Sequence, residues 1–222
     1  MMGHRWDFAS VMDNHAALLA GAAGTLRLFA LCLVLGLGLG LLVGLARSAR
    51  SAWIRLPAGA FVEFFRNTPV LVQILWFYFA LPILMPFEIG KLAAAALGIS
   101  LNSAAFAGEI FRGGIQSIEP GQWDGARALG MTRGQALRRI VLPQAVRRML
   151  PALTNRAIEI FKMTTLASAI AYVELLQQGK LIASLNFNPI EAYTAIAVIF
   201  FICLWPLVRF TYFLERRLAR SD

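Results

Sequence analysis

Five apolar runs, each able to cross the roughly 30 Å of bilayer hydrocarbon at 1.5 Å per helical residue, restrict this chain more than any single motif does. They lie at about Gly21–Ala46, Ala58–Leu81, Ile89–Phe111, Leu150–Tyr172 and Ala192–Phe213. With 59% hydrophobic and 15% charged residues and a mean hydropathy of +0.66, the 222-residue chain is too apolar for a soluble domain of its size. The reading is an all-α integral membrane protein. The first run lacks a small-residue cleavage site leading into a soluble domain, so it is expected to be a retained span rather than a signal peptide.

The arginines orient these runs. Arg47, Arg50, Arg55 and Arg66 lie at the first connection or just inside the second run, a further group from Arg112 to Arg148 flanks the third, and Arg209, Arg216, Arg217 and Arg220 follow the fifth run. The remaining connections carry Lys91 and Lys180. Positive charge gathers on the cytoplasmic side, which predicts an outside N-terminus and a cytosolic C-terminus in the cytoplasmic (inner) membrane. The net charge of +9 does not point to nucleic acid, because the basic residues are scattered between apolar runs instead of forming one solvated face. Cys32 and Cys203 lie far apart within apolar runs and read as packing residues. In the first run Gly36, Gly38, Gly40 and Gly44 allow close helix approach, within one subunit or between two.

Between the third and fourth runs, Pro120–Pro143 (PGQWDGARALGMTRGQALRRIVLP) is far more polar than its surroundings. Pro120 suits the first position of a short helix, Gly130 suits its end, and Thr132 with Gln135 three residues on forms a capping-box pattern that opens another. A helix, a glycine hinge and a second helix are predicted. Charge and capping alone fit an ordinary basic connector at lipid headgroups equally well. The spacing is more specific. Asp124-Gly125-Ala126, then Gly130, then Ile140-Val141-Leu142-Pro143 resembles the cytoplasmic signature of bacterial ABC-importer permeases, which usually reads Glu-Ala-Ala, Gly and Ile-x-Leu-Pro.

Two further stretches carry the resemblance, VEFFRNTPVLVQ from Val62 and NSAAFAGEIFRGGIQSIEPGQ from Asn102. Both look like the branch that imports polar amino acids, and the likeness runs from Thr25 to Leu218. It implies a type I importer permease fold of five transmembrane helices, one domain over 1–222, with a coupling-helix loop at about 117–143. Gly121, Gln122, Asp124, Gly125, Ala126, Leu129, Gly130, Ile140, Leu142 and Pro143 would engage an ATPase subunit. The implied partners are ABC ATPase subunits, an extracytoplasmic amino-acid-binding protein, a second permease, identical or paralogous, membrane lipid and the amino acid itself. ATP-Mg would be used by the ATPase; no cofactor, metal or nucleic acid is expected on this chain.

Glu63 with Arg66, and Glu109 with Arg112, are three apart and are expected to form ion pairs near the cytosolic edge. Pro69 is expected to bend the second span. On the fourth run Asn155, Glu159 and Lys162 fall within about 60° of one another at 100° per residue, a polar stripe on an apolar helix. Charge at membrane depth costs about 2.5–3.5 kcal/mol even on insertion scales, so such groups face protein, water or ligand. They form either an intrahelical charge ladder, with Arg156 or Lys162 neutralising Glu159, or a passage for a zwitterion.

The family commonly reads NExIxxxKDTSL where this chain has NRAIEIFKMTTL, so Arg156 stands for an acid and Met163 for another. With Arg156 in the passage the expected cargo is acidic, glutamate or aspartate. Permeases for glutamine or basic amino acids are the alternatives within the class. An ion-coupled symporter using Glu159 or Glu109 is the rival outside it. No GxxxxGK[ST] loop is present, and the only histidines, His4 and His15, precede the first run. The chain is not expected to be an enzyme.

Overall fold

The structure, a computed structural model, describes residues 6–86 and 88–218; the sequence expectations that rest on His4 and Arg220 fall outside these. Among the described residues every regular element is helical. A short α1 (Ala9–Asp13) leads into α2 (His15–Arg47), whose 33 residues extend the first predicted run at its N-terminal end. The second run is broken. α3 (Ala52–Asn67) stops before Thr68–Pro69, and Pro69, extended at ψ 132°, caps α4 (Val70–Leu75). A π-helical turn (Trp76–Ala80) and α5 (Leu81–Leu84) complete it.

The third run is α6 (Lys91–Gln116), followed by α7 (Pro120–Ala128) and α8 (Arg133–Ala136). A π turn (Leu137–Val141) then joins α9 (Leu142–Met163). The turn has a local cause: Pro143 lacks the N–H that would serve the carbonyl of Arg139, and its ring crowds that carbonyl. α9 gives way to a 3-10 stretch (Thr164–Ile170) that ends at Ala171 in the left-handed region, φ 52°. α10 (Leu175–Asn186) and α11 (Pro189–Leu218) follow.

Among the described residues three single helices, α2, α6 and α11, are long and apolar enough to cross a bilayer, and α3 with α4–α5 makes a fourth span only as a broken pair. The fourth predicted run does not meet that measure, because α9 carries Arg156, Glu159 and Lys162 and ceases to be α-helical at Met163.

The chain packs as two compact units. The first, running to Val34 and including Thr68–Ser100 and Ile158–Leu207, is built on Leu28, Cys32, Ile74, Ala95, Ile99 and Ile160, with Phe29 edge-on to Phe161 at 5.3 Å between ring centroids. Within it α2 lies so close to the segment before α10 that a Cβ on Gly24 would meet the Val173 carbonyl oxygen at 1.9 Å. Thr25 Oγ1 accepts from Leu175 N at 3.1 Å, and Tyr172 donates to the Gly24 carbonyl at 3.3 Å. The second unit, Leu35–Asn67, Leu101–Ala157 and the chain from Val208, has Ile118, Val141, Ala145 and Met149 at its core. There α2 meets α6 through Gly40 and Gly44: an added Cβ would approach Ala107 Cβ at 2.6 Å and the Gly108 carbonyl at 2.8 Å. These two glycines serve packing within one chain. Gly38 faces open space.

Candidate functional site: the α7–α8 elbow and the polar face of α9

α7 starts with Pro120 at its first position and ends through Leu129 at Gly130, whose φ of 71° favours a residue without Cβ. Two residues later the capping box is complete: Thr132 Oγ1 accepts from Gln135 N at 3.3 Å, and Gln135 Oε1 accepts from Thr132 N at 2.9 Å. The elbow is anchored from beneath by Trp123 packed against Ile118, Val141, Ala145 and Met149, and laterally by Gln144 donating to Gln122 at 3.1 Å. Arg148 donates to the Ser117 carbonyl, and Asp124 pairs with Arg127 at the surface.

This anchoring divides the predicted coupling residues. Gly121, Gln122, Asp124, Gly125, Gly130, Leu142 and Pro143 are exposed, and Leu129 is 79% exposed. Ile140 is half-buried. Ala126, expected as a contact, is instead buried at 1% exposure, because the helix period turns it to the same side as Trp123. It supports the elbow from within. Beside it Arg50, Arg127 and Arg133 surround a pocket of about 480 Å³ floored by Trp123, Met131 and Ala136.

Of the two predicted ion pairs, one forms. Glu109 Oε2 accepts from Arg112 Nη2 at 2.6 Å, and Glu109 Oε1 takes Arg47 Nε at 3.0 Å. Arg47 was not predicted as a partner; sequence separation hides it, and only α2–α6 packing brings it near. Gly59 of α3 gives it room, its absent Cβ lying 2.8 Å from Arg47 Nη1. Glu63 and Arg66 do not pair. Glu63 accepts from Asn67 Nδ2 at 3.0 Å, and the Arg66 guanidinium lies 4.9 Å from the centroid of Phe106. An i,i+4 amide and an aromatic face outcompete the i,i+3 carboxylate.

α9 exposes Asn155, Glu159 and Lys162, as the stripe requires, but buries Arg156 to 3%. Arg156 Nη2 donates to Asn102 Oδ1 at 2.8 Å and to Ser103 Oγ at 3.1 Å, and the guanidinium stacks 4.5 Å from the Phe106 centroid. The expectation that Arg156 lines a passage and meets a cargo carboxylate is therefore corrected: it is one residue off the stripe, about 100° around the helix, and already held by protein. Asn102, Ser103 and Phe106 had no sequence signal as its partners, being 50 or more positions away.

Apolar spans, one of them broken, together with a capped two-helix elbow presenting glycines and an exposed leucine, define a multi-span membrane protein with a structured polar connector. The chain belongs to the family of binding-protein-dependent transport system inner membrane components, whose model matches residues 36–220. It is an amino-acid ABC importer permease, a membrane transport subunit and not an enzyme, in a family whose ATPase is a separate chain.

It is similar to the glutamine transport system permease protein GlnP of Escherichia coli K12, 38% identical over 96% of this chain and 98% of that one. The probable amino-acid ABC transporter permease YckA of Bacillus subtilis is 36% identical over 94% and 92%. A crystal structure described as an amino acid ABC transporter with histidines superposes with a TM-score of 0.89 at 34% identity, covering 96% of this chain and 100% of that one.

Proposed function

We propose that this chain, acting as a single permease domain, admits a polar amino acid delivered by an extracytoplasmic binding protein. ATP-Mg hydrolysis on partner subunits docked at the elbow drives it. Two permeases, identical or paralogous, and two ATPases make the working unit, with the N-terminus outside and the C-terminus in the cytosol. The reading rests on one observation: the exposed Gly121, Gln122, Asp124, Gly125 and Leu129 stand on a capped, core-anchored elbow that can transmit displacement into α9. Asn155, Glu159 and Lys162 supply the opposite charges and amide that the α-amino and α-carboxylate groups of a zwitterion need.

The cargo's side chain is read as a neutral amide. The acidic preference drew on Arg156 as well as on the likeness of the segment from Phe65 to Lys91 to glutamate and aspartate permeases, and that guanidinium is engaged by Asn102, Ser103 and Phe106. Similarity to a permease named for glutamine supports the change.

In proteoliposomes with the cognate ATPase and binding protein, glutamine uptake is expected to require ATP. Leu129→Arg, or scrambling Gln122–Gly130, is expected to abolish it while leaving the chain inserted. Uptake by the permease alone that collapses with an uncoupler would overturn this reading. For the cargo, tenfold excess glutamate or arginine should compete far less than unlabelled glutamine; strong competition by glutamate would restore the acidic assignment.

A further inference from the structure

The break in the second span has a chemical consequence inside the second unit. In an unbroken helix the amide of residue 69 would donate to the carbonyl of Phe65, but Pro69 has no N–H. That carbonyl accepts instead from Asn102 Nδ2 on α6, at 2.7 Å. Asn102 is 2% exposed, and its other amide end accepts from Arg156 Nη2 at 2.8 Å. The amide has one sensible orientation here, since a guanidinium can only donate and a carbonyl can only accept. Arg156 is fixed in turn by Ser103 Oγ at 3.1 Å and by the Phe106 face, which also carries Arg66 from the last turn of α3.

We infer that Asn102 is a positioning residue that replaces the helical hydrogen bond deleted by Pro69, tying the last turn of α3 through Arg156 to α9. The two side-chain amide ends divide the work. One satisfies backbone that proline cannot serve, and the other takes a donor from a different helix. A buried asparagine on an apolar helix is costly unless both ends are matched, and here they are matched to different elements. The last turn of α3 is on this account held by residues of α6 and α9. Arg156, which replaces an acid of the family's usual pattern, is recruited as the outer member of this strut.

The test uses isosteric replacement in the purified full chain, read by hydrogen exchange of the amides at 64–68. Asn102→Asp retains an acceptor for Arg156 but has no donor for Phe65. It is expected to speed exchange at 64–68 by about tenfold, and Asn102→Ala by at least as much. Arg156→Met is expected to raise the same rates by less. The decisive background is Pro69→Ala, which returns an N–H to residue 69. There Asn102→Asp is expected to change those rates less than about threefold, since the two donors serve one acceptor and their effects do not add. General packing loss would be additive with Pro69→Ala.

An unchanged exchange rate in Asn102→Asp, or the same tenfold increase with and without Pro69→Ala, would overturn the assignment. If Asn102→Asp and Asn102→Ala fail to fold, the Pro69→Ala/Asn102→Asp double variant is expected to be recovered. Its failure as well would equally overturn the assignment.

Discussion

Glu109 receives a guanidinium on each carboxylate oxygen, and its two partners come from different distances along the chain. Arg112 is one helical turn away and was legible from spacing; Arg47 is on α2 and was not. Because Glu109 is mostly shielded, Glu109→Gln is expected to lower stability by about 1–2 kcal/mol, more than an exposed pair would. A double-mutant cycle of Glu109→Gln with Arg47→Met, read by thermal unfolding in detergent, should show coupling; simple additivity would mean that the two side chains act independently. Arg156 teaches the reverse lesson. Its type and spacing suggested a ligand for a carboxylate, yet one residue of helical rotation places it against Asn102 and Phe106 instead.

At the scale of elements, close approach explains which glycines matter. Gly24→Ala drives a Cβ into the Val173 carbonyl, so it is expected to cost at least about 2–3 kcal/mol, whereas Gly38→Ala meets nothing and should be neutral or gain up to about 1 kcal/mol from helix propensity. Thermal unfolding of the two variants side by side checks this.

α10 begins on a fully buried cap: Glu174 accepts from Leu176 N at 2.8 Å and Gln177 N at 2.6 Å, beyond the fourth apolar run. Burial pushes its carboxyl up to about 7 from 4.5, overcoming the cap bonds and the attraction of Lys180. A raised carboxylate binds more protons folded than unfolded between those values. Stability is therefore full below about 4.5, falls as pH rises toward 7, and is level above. The steepest slope is expected near 1 kcal/mol per pH unit, roughly that of one proton. Glu174→Gln should flatten it; an unchanged pH profile would mean that other groups set the slope.

For the whole molecule, the arginine distribution predicts an orientation that labelling can test. A cysteine at Met12 in a Cys203→Ser background should react with an impermeant maleimide only from outside, and one at Leu129 only from the cytosolic side. The opposite pattern would invert the topology. The elbow itself was legible nearly residue by residue, because proline at a helix start, glycine at its end and a Thr-x-x-Gln box act within a few positions. The span count was less legible. A hydropathy run does not show that Pro69 stops a helix outright, nor that α9 leaves the α-helical form at Met163 for a 3-10 stretch.

What the sequence determined by itself is local or compositional: membrane residence, from apolar run length; and the capped elbow, from residues that set their own backbone. The tertiary structure alone decided which way α9 presents its charges, that Ala126 faces inward, and that Arg47 and Asn102 complete Glu109 and Arg156. The physical reason is range. Capping and hydropathy act within a helical turn or sum along a run, whereas a guanidinium finds its acceptor only after helices many residues apart have packed.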